Sequence, residues 1–261
     1  MDLGIRAKVA LVTGASEGLG FATARALATE GARLAMAARR EDRLRSAAEE
    51  IRSTTGAEVI SVAADVSVPD QASRLVEEVG EKLGPVEILV ANAGGPKPGH
   101  FADLSWDDWV RAFQQVVGTV HHLAFAVLPG MRARGWGRIV SIQSMSVRQP
   151  VESLLLSSSL RPAAAGLHKG LTGELAPQGI TVNVIGPGSS RTERILELGR
   201  FRNPGKETAE VLRSLGASMP IGRLVEPDEV AAAVVFLCSI QAAAITGAYL
   251  PVDGGQIRGQ M

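Results

Sequence analysis

The chain has one cysteine, Cys238, one tyrosine, Tyr249, and only 4% aromatic residues in 261 positions. A lone cysteine excludes an internal disulfide, and in the apolar run Ala231–Cys238 it reads as an inert core residue in a reducing compartment. Net charge is missing too: 27 basic side chains balance 27 acidic ones, which excludes the basic excess of a chain built to hold nucleic acid. Long hydrophobic runs are absent. Ala231–Cys238 is far shorter than the roughly 20 residues that span a bilayer, and MDLGIRAKVALVTG lacks a basic start followed by a cleavable apolar segment. The expectation is a soluble, cytoplasmic protein with no nucleic-acid or membrane partner.

What is present is an ordinary globular composition, 46% hydrophobic and 21% charged. Short β-branched runs at Val9–Thr13, Arg33–Ala37, Glu58–Val62, Ile88–Ala91, Arg138–Ile142, Thr181–Ile185 and Ala248–Val252 have strand length. Between them, Leu19–Glu30, Arg43–Ser53, Ala72–Leu83, Trp109–Ala133, Leu160–Leu175 and Pro227–Ser239 space their apolar residues by three and four, as helices do. This alternation predicts one α/β domain over residues 1–261. It would be a Rossmann-like, doubly wound, mostly parallel seven-stranded sheet with helices on both faces. Residues 189–220 interrupt the alternation with two short amphipathic pieces split by Asn203-Pro204-Gly205. That segment suits a lid over a ligand crevice at the carboxyl edge of the sheet, and a solvated surface excursion is the competing reading.

The first strand runs into Thr13-Gly14-Ala15-Ser16-Glu17-Gly18-Leu19-Gly20 and then directly into a helix. Glycines allow a tight turn and a close approach of diphosphate to backbone, while the helix start offers free N–H groups and partial positive charge. This placement predicts dinucleotide binding by Gly14, Ser16, Gly18, Leu19 and Gly20. At the end of the second strand, where a carboxylate would read a free ribose, stand Ala37-Ala38-Arg39-Arg40. Guanidinium matches phosphate geometry, so Arg39 favours NADP, with NAD as the alternative. Glu17 opposes that preference, since a carboxylate in the loop would lie near a 2′-phosphate.

The pieces TGASEGLG (13–20), Asp65-Val66, ANAG (91–94), GRIVSIQS (137–144), GITVNVIGPG (179–188) with Thr192, and ITGAYLPVDGG (245–255) occur in this order. In them the chain resembles the short-chain dehydrogenase/reductase family from about Lys8 to Gly255. It is most similar to the 3-oxoacyl-carrier-protein reductases and glucose-dehydrogenase-like enzymes. The resemblance implies hydride transfer between NADP(H) and a small ketone or secondary alcohol, in a homotetramer or homodimer. It implies that Asp65 and Val66 hold adenine, that Asn92, Ala93 and Gly94 line the ribose, and that Pro187, Gly188, Ser190 and Thr192 hold the nicotinamide amide. The long middle helices and the last strand would form the subunit contacts.

The same resemblance places the catalytic serine at Ser144, a tyrosine thirteen residues later and a lysine four beyond that. This chain has Ser157 and Arg161 at those positions, and Val116 where the family carries a helix asparagine. In the family the tyrosine is the general acid, its pKa of about 10 lowered by the lysine. A serine hydroxyl is a far weaker acid, and arginine holds its proton. Three readings of Ser144, Ser157 and Arg161 stay open. They position a carbonyl, with Arg161 stabilising the developing oxyanion while water or substrate supplies the proton. Or the site serves non-redox chemistry, or none. Or the serines only begin a helix and Arg161 is a surface cation. By sequence position Tyr249 is no substitute.

Other candidates have plain alternatives. His168 shares a helix face with Arg161 but would ordinarily be packed or solvated. Lys97 and His100 lie in a Pro- and Gly-rich turn near the crevice. His121 and His122 complete no metal-ligand spacing, so no metal is expected. Arg194, Arg200, Arg202 and Lys206 could meet an anionic substrate or could simply form a solvated face.

Overall fold

The computed structural model describes residues 2–259 except 203, 204 and 206. Lys206 and the Asn203-Pro204 break therefore lie outside the described residues. Seven strands, β1 (Val9–Thr13), β2 (Arg33–Ala38), β3 (Val59–Ala63), β4 (Ile88–Asn92), β5 (Gly137–Ile142), β6 (Ile180–Pro187) and β7 (Tyr249–Val252), form one sheet in the order β3-β2-β1-β4-β5-β6-β7. Every neighbouring pair is parallel, so the sheet expected to be mostly parallel is wholly so. Parallel neighbours need crossovers, and the helices between the strands provide them.

Alternate strand residues face opposite cores. Ala10, Val12, Leu34, Met36, Val90 and Val140 pack with Leu27 of α1 (Gly18–Thr29), Leu44 of α2 (Glu41–Thr55) and Val234 of α9 (Pro227–Cys238). Leu11, Ala35, Leu89, Ile139 and Val182 pack with Leu75 of α3 (Pro69–Leu83), Leu123 of α5 (Thr119–Arg134) and Ala164 of α6 (Leu155–Leu175). Both faces are thus covered, which is why the strands read as continuous apolar runs. Cys238 is fully buried in the first core, and burial pushes its thiol up to about 12.

The long middle helix expected over 109–133 is divided. Helix α4 (Trp106–Phe113) begins on a reciprocal cap in which Ser105 Oγ accepts from the Asp108 N–H and Asp108 Oδ2 accepts from the Ser105 N–H. A π-turn over Gln114–Gly118 then separates α4 from α5, with the Thr119 N–H reaching back to the Gln114 carbonyl. The interrupting segment holds α7 (Glu193–Arg202) and α8 (Thr208–Ala217), matching the two amphipathic pieces.

Candidate functional site

The strand order reverses between β1 and β4, and a doubly wound sheet opens its crevice at that point, beyond the strands' carboxyl ends. Here Thr13 and Asn92 lock the two strands together: Thr13 Oγ1 donates to the Asn92 carbonyl (2.8 Å) and accepts from its N–H (3.0 Å). Asn92 Nδ2 donates to the Gly14 carbonyl at 3.2 Å, fixing the loop that follows β1. Gly14 and Gly18 have φ of 58° and 60°, the left-handed region that glycine enters without a Cβ penalty. A Cβ on Gly20 would collide with the Gly14 carbonyl. Glycine is therefore required at these positions by backbone conformation at 14 and 18 and by close packing at 14 and 20. At its end, α1 starts with no side-chain cap and no acidic residue in its first turn, leaving its N–H groups for an anion. These features fit a dinucleotide diphosphate.

Ser16 and Leu19 lie within this loop and the first turn. Thr192 packs against it: a Cβ on Gly18 would sit 3.4 Å from Thr192 Cγ2. Pro187 ends β6, the Gly188 N–H donates to the Val252 carbonyl at 3.1 Å, and Ser190 Oγ donates to the Gly188 carbonyl at 3.2 Å. The segments around 14–20 and 187–192 thus meet across the crevice mouth. Ala93 and Gly94 follow β4, and Gln115 Nε2 ties the Gly94 carbonyl to the π-turn at 2.7 Å. After β3, Asp65 Oδ1 accepts from the N–H and hydroxyl of Ser67, and Val66 is buried.

Beyond β2 the two arginines differ. Arg39 is exposed and has no partner among the described residues. Arg40 and the neighbouring Arg43 both hold Glu17, at 2.8 and 2.9 Å. The Glu17 carboxylate is therefore offset by two guanidiniums, and Arg39 is left unpaired among the described residues.

At the other end, Ser157 and Arg161 form one network. Arg161 Nε donates to Ser157 Oγ (3.0 Å), and Nη1 donates to the carbonyl (2.7 Å) and Oε1 (3.2 Å) of Gln143. Ser157 Oγ also meets Ser146 Oγ at 3.0 Å. Arg161 is buried, so it is not the surface cation of the third reading, and Leu154 rather than a serine caps α6. Burial, reinforced by Arg194, lowers the Arg161 guanidinium to about 10. Ser144 joins this group through the turn it begins. Its Oγ accepts from the Ser146 N–H at 3.1 Å, which leaves its own proton free for an acceptor in the crevice. Val116 is buried in the π-turn and offers no polar atom.

Tyr249 is closer than its place in the sequence suggests, for its hydroxyl donates to the Ser144 carbonyl at 3.1 Å. Burial and then Asp253 push this phenol up to about 12, away from the range of a useful acid at neutral pH. Gln143, Ser146 and Tyr249 had no signal in the spacing: Gln143 directly follows β5, Ser146 lies in a 3-10 turn over Met145–Val147, and Tyr249 begins the neighbouring strand β7.

The remaining candidates have structural occupations. Lys97 pairs with Asp108 (3.0 Å), as does Arg111 (2.8 Å), and these bonds hold the Asp108 carboxyl well below the usual carboxylate range. The His100 N–H donates to Asp103 Oδ2 in a cap of its own. His168 is buried at 1% exposure, with Nδ1 on the Ala164 carbonyl at 2.8 Å and Nε2 unpartnered. His121 stacks on Phe125, and no cluster of metal-ligating side chains occurs among the described residues. In the segment after β6, Arg194 Nη2 donates to the Pro96 carbonyl (2.6 Å). Arg202 donates to Ser153 Oγ (3.0 Å) and the Glu152 carbonyl (2.6 Å). Helix α7 is thereby fastened to the loops after β4 and before α6, while Arg200 pairs with Glu193.

The enoyl-(acyl carrier protein) reductase family model matches residues 14–256. An acetoacetyl-CoA reductase of Shinella zoogloeoides is 35% identical, over 95% of this chain and 98% of its own. The structure of L-sorbose reductase from Gluconobacter frateurii, complexed with NADPH and L-sorbose, superimposes with a TM-score of 0.95 at 34% identity over the whole of both chains. Actinorhodin polyketide ketoreductase with NADPH gives 0.93 at 37% identity, covering 97% of this chain and 98% of that one. The crevice, its glycine cradle and these relatives agree: the chain belongs to the short-chain dehydrogenase/reductase family of NAD(P)-dependent oxidoreductases.

Proposed function

We propose that the protein is an NADP(H)-dependent carbonyl reductase that works without a tyrosine acid. Its substrate is a small ketone, of 3-oxoacyl or similar type, or the corresponding secondary alcohol. What supports this reading is the glycine loop that opens an uncapped α1, together with an unpaired Arg39 after β2 and the Ser157–Arg161 network near Ser144. Gly14, Ser16, Gly18, Leu19 and Gly20 hold the diphosphate, and Arg39 holds the 2′-phosphate. Asp65 and Val66 receive the adenine, Asn92, Ala93 and Gly94 the ribose, and Pro187, Gly188, Ser190 and Thr192 the nicotinamide amide.

The bound cofactor supplies a hydride. Ser144, whose hydroxyl already accepts one bond from its own turn, keeps its proton and donates a hydrogen bond with it to the substrate carbonyl oxygen. Ser157 lies behind it, and the fixed positive charge of Arg161 favours the oxyanion that develops there. A serine is much shorter than a tyrosine, so the final proton comes from a water in the space the phenol would fill, or from the substrate. Reduction is correspondingly slow. The test is NADPH consumption on a panel of small ketones by the wild type and by Ser144→Ala. Turnover that the substitution abolishes supports the reading. NADPH binding with no turnover on any ketone favours the second reading, a dinucleotide-binding member without redox activity, to which Val116, Ser157 and Arg161 together point.

We also infer self-association as a homotetramer or homodimer. Phe113 (52% exposed) and Phe125 (73% exposed) lie outward on α4 and α5, and apolar surface of this kind favours a partner. The proposed site of action is the cytoplasm, in keeping with a lone buried thiol.

A further inference from the structure

Arg194 is the second residue of α7, shortly beyond Thr192. The start of a helix is its positive end, so a guanidinium there opposes the macrodipole. The side chain nonetheless does not extend into water: it is 34% exposed and lies across the loop after β4. Nη2 donates to the Pro96 carbonyl at 2.6 Å. A Cβ on Gly95 would stand 2.9 Å from Nε and 3.0 Å from Nη2, so the missing side chain at 95 gives the guanidinium its place. This puts the cation next to the reacting end of the crevice. Gly94 and Arg161 border one small cavity, and the charge of Arg194 is felt at Arg161.

The charge of Arg194 is only slightly offset. Glu197, one turn on, stands 3.4 Å from Nη1 and is itself exposed, and such a solvated pair is weak. Nε has no hydrogen-bond partner among the described residues. Asp108, which reaches the same loop through Lys97, is already held by Lys97 and Arg111. A cation kept beside another cation, at the wrong end of a helix, is relieved by an anion.

We propose that Arg194 is a substrate-binding residue and that the substrate is a short oxo acid, its carboxylate held by Arg194 while its ketone lies toward Ser144. Guanidinium is the side chain best matched to a carboxylate. The phosphate of a long carrier arm would lie many bonds from the reacting ketone, whereas Arg194 adjoins the residues at that end. The inference rests on the reductase reading and names the class of ketone that it takes.

Kinetics at saturating NADPH compare 3-oxobutanoate and 4-oxopentanoate with their methyl esters, which keep the ketone and lose the charge. The expected result is a kcat/KM about tenfold or more higher for the acids, arising in KM, the scale of one charge-assisted hydrogen bond. Arg194→Gln brings the ratio of acid to ester close to one, and Arg194→Lys restores part of it. Equal use of acid and ester by the wild type overturns the proposal. So does a ratio that Arg194→Gln leaves intact, which makes Arg194 a clamp alone. A loss of NADPH affinity in that variant also overturns it, since the anion is then the cofactor's. Should no ketone be turned over, the reductase reading fails separately, and calorimetric binding of 4-oxopentanoate to the protein with NADP decides. Binding that Arg194→Gln removes upholds the carboxylate site, and no binding overturns it. Should Arg194→Gln fail to fold, the wild-type ratio and Arg194→Lys decide the matter.

Discussion

Ser157 and Arg161 act as a pair because they lie one helical turn apart on the buried face of α6. Their positions were legible from the family resemblance, counted onward from Ser144. Their surroundings were not: Ser146 enters through a 3-10 turn, and Tyr249 through β7 alongside β6. The account predicts that Ser157→Tyr with Arg161→Lys raises ketone turnover by about a hundredfold or more, within the usual range for a positioned general acid. Steady-state NADPH consumption checks this, and an unchanged rate on a bound ketone would remove the role given to the pair. His168 gives a pH prediction. Burial lowers its pKa in the folded protein, so the unfolded chain takes up the proton first as pH falls. Stability is then full above about pH 6.5, the ordinary histidine value, and declines below it. Melting temperatures between neutral and mildly acid pH should show this decline, and His168→Leu should lessen it.

Secondary elements were the most legible level, because parallel strands covered on both faces are continuous in hydrophobicity and their helices are not. The strand positions fit closely, and α1 and α9 begin and end within two residues of expectation. The division between α4 and α5 was hidden, since Gln114–Gly118 is helical in pattern and the π-turn is a matter of backbone bonding alone. Helices α7 and α8 were visible as amphipathic pieces, but not the clamps that Arg194 and Arg202 make with distant loops. At this scale the glycine cradle gives the sharpest expectation. Gly20→Ala drives a methyl group into the Gly14 carbonyl. Dinucleotide binding should fall by well over tenfold, as an obstructed anion cradle requires, while the far-ultraviolet circular dichroism of the sheet and helices is retained. Undiminished NADPH affinity in this variant would show that the loop is not the diphosphate site.

The whole molecule is one sheet between two apolar layers, and the crevice is where the two halves of the strand order meet. Leu89, central in β4 and fully buried, belongs to the layer that supports α5 and the π-turn. Leu89→Ala should cost about 2–5 kcal/mol of unfolding free energy in a urea titration. Helix α7 is fastened to neighbouring loops by single arginine side chains, so Arg202→Ala should speed limited proteolysis within 189–220. Saturating NADPH should slow it again if the segment closes over the cofactor.

The central claim is that this fold still serves NADPH although the tyrosine and lysine are gone. The most direct measurement is a titration of the purified protein with NADPH and separately with NADH, following nicotinamide fluorescence, in the wild type and in Arg39→Ala. The account predicts micromolar binding of NADPH, weaker binding of NADH, and a loss of about tenfold or more in NADPH affinity without the Arg39 guanidinium, the scale of one charge-assisted contact to phosphate. Binding of neither nucleotide would contradict the account, and with it the reductase reading.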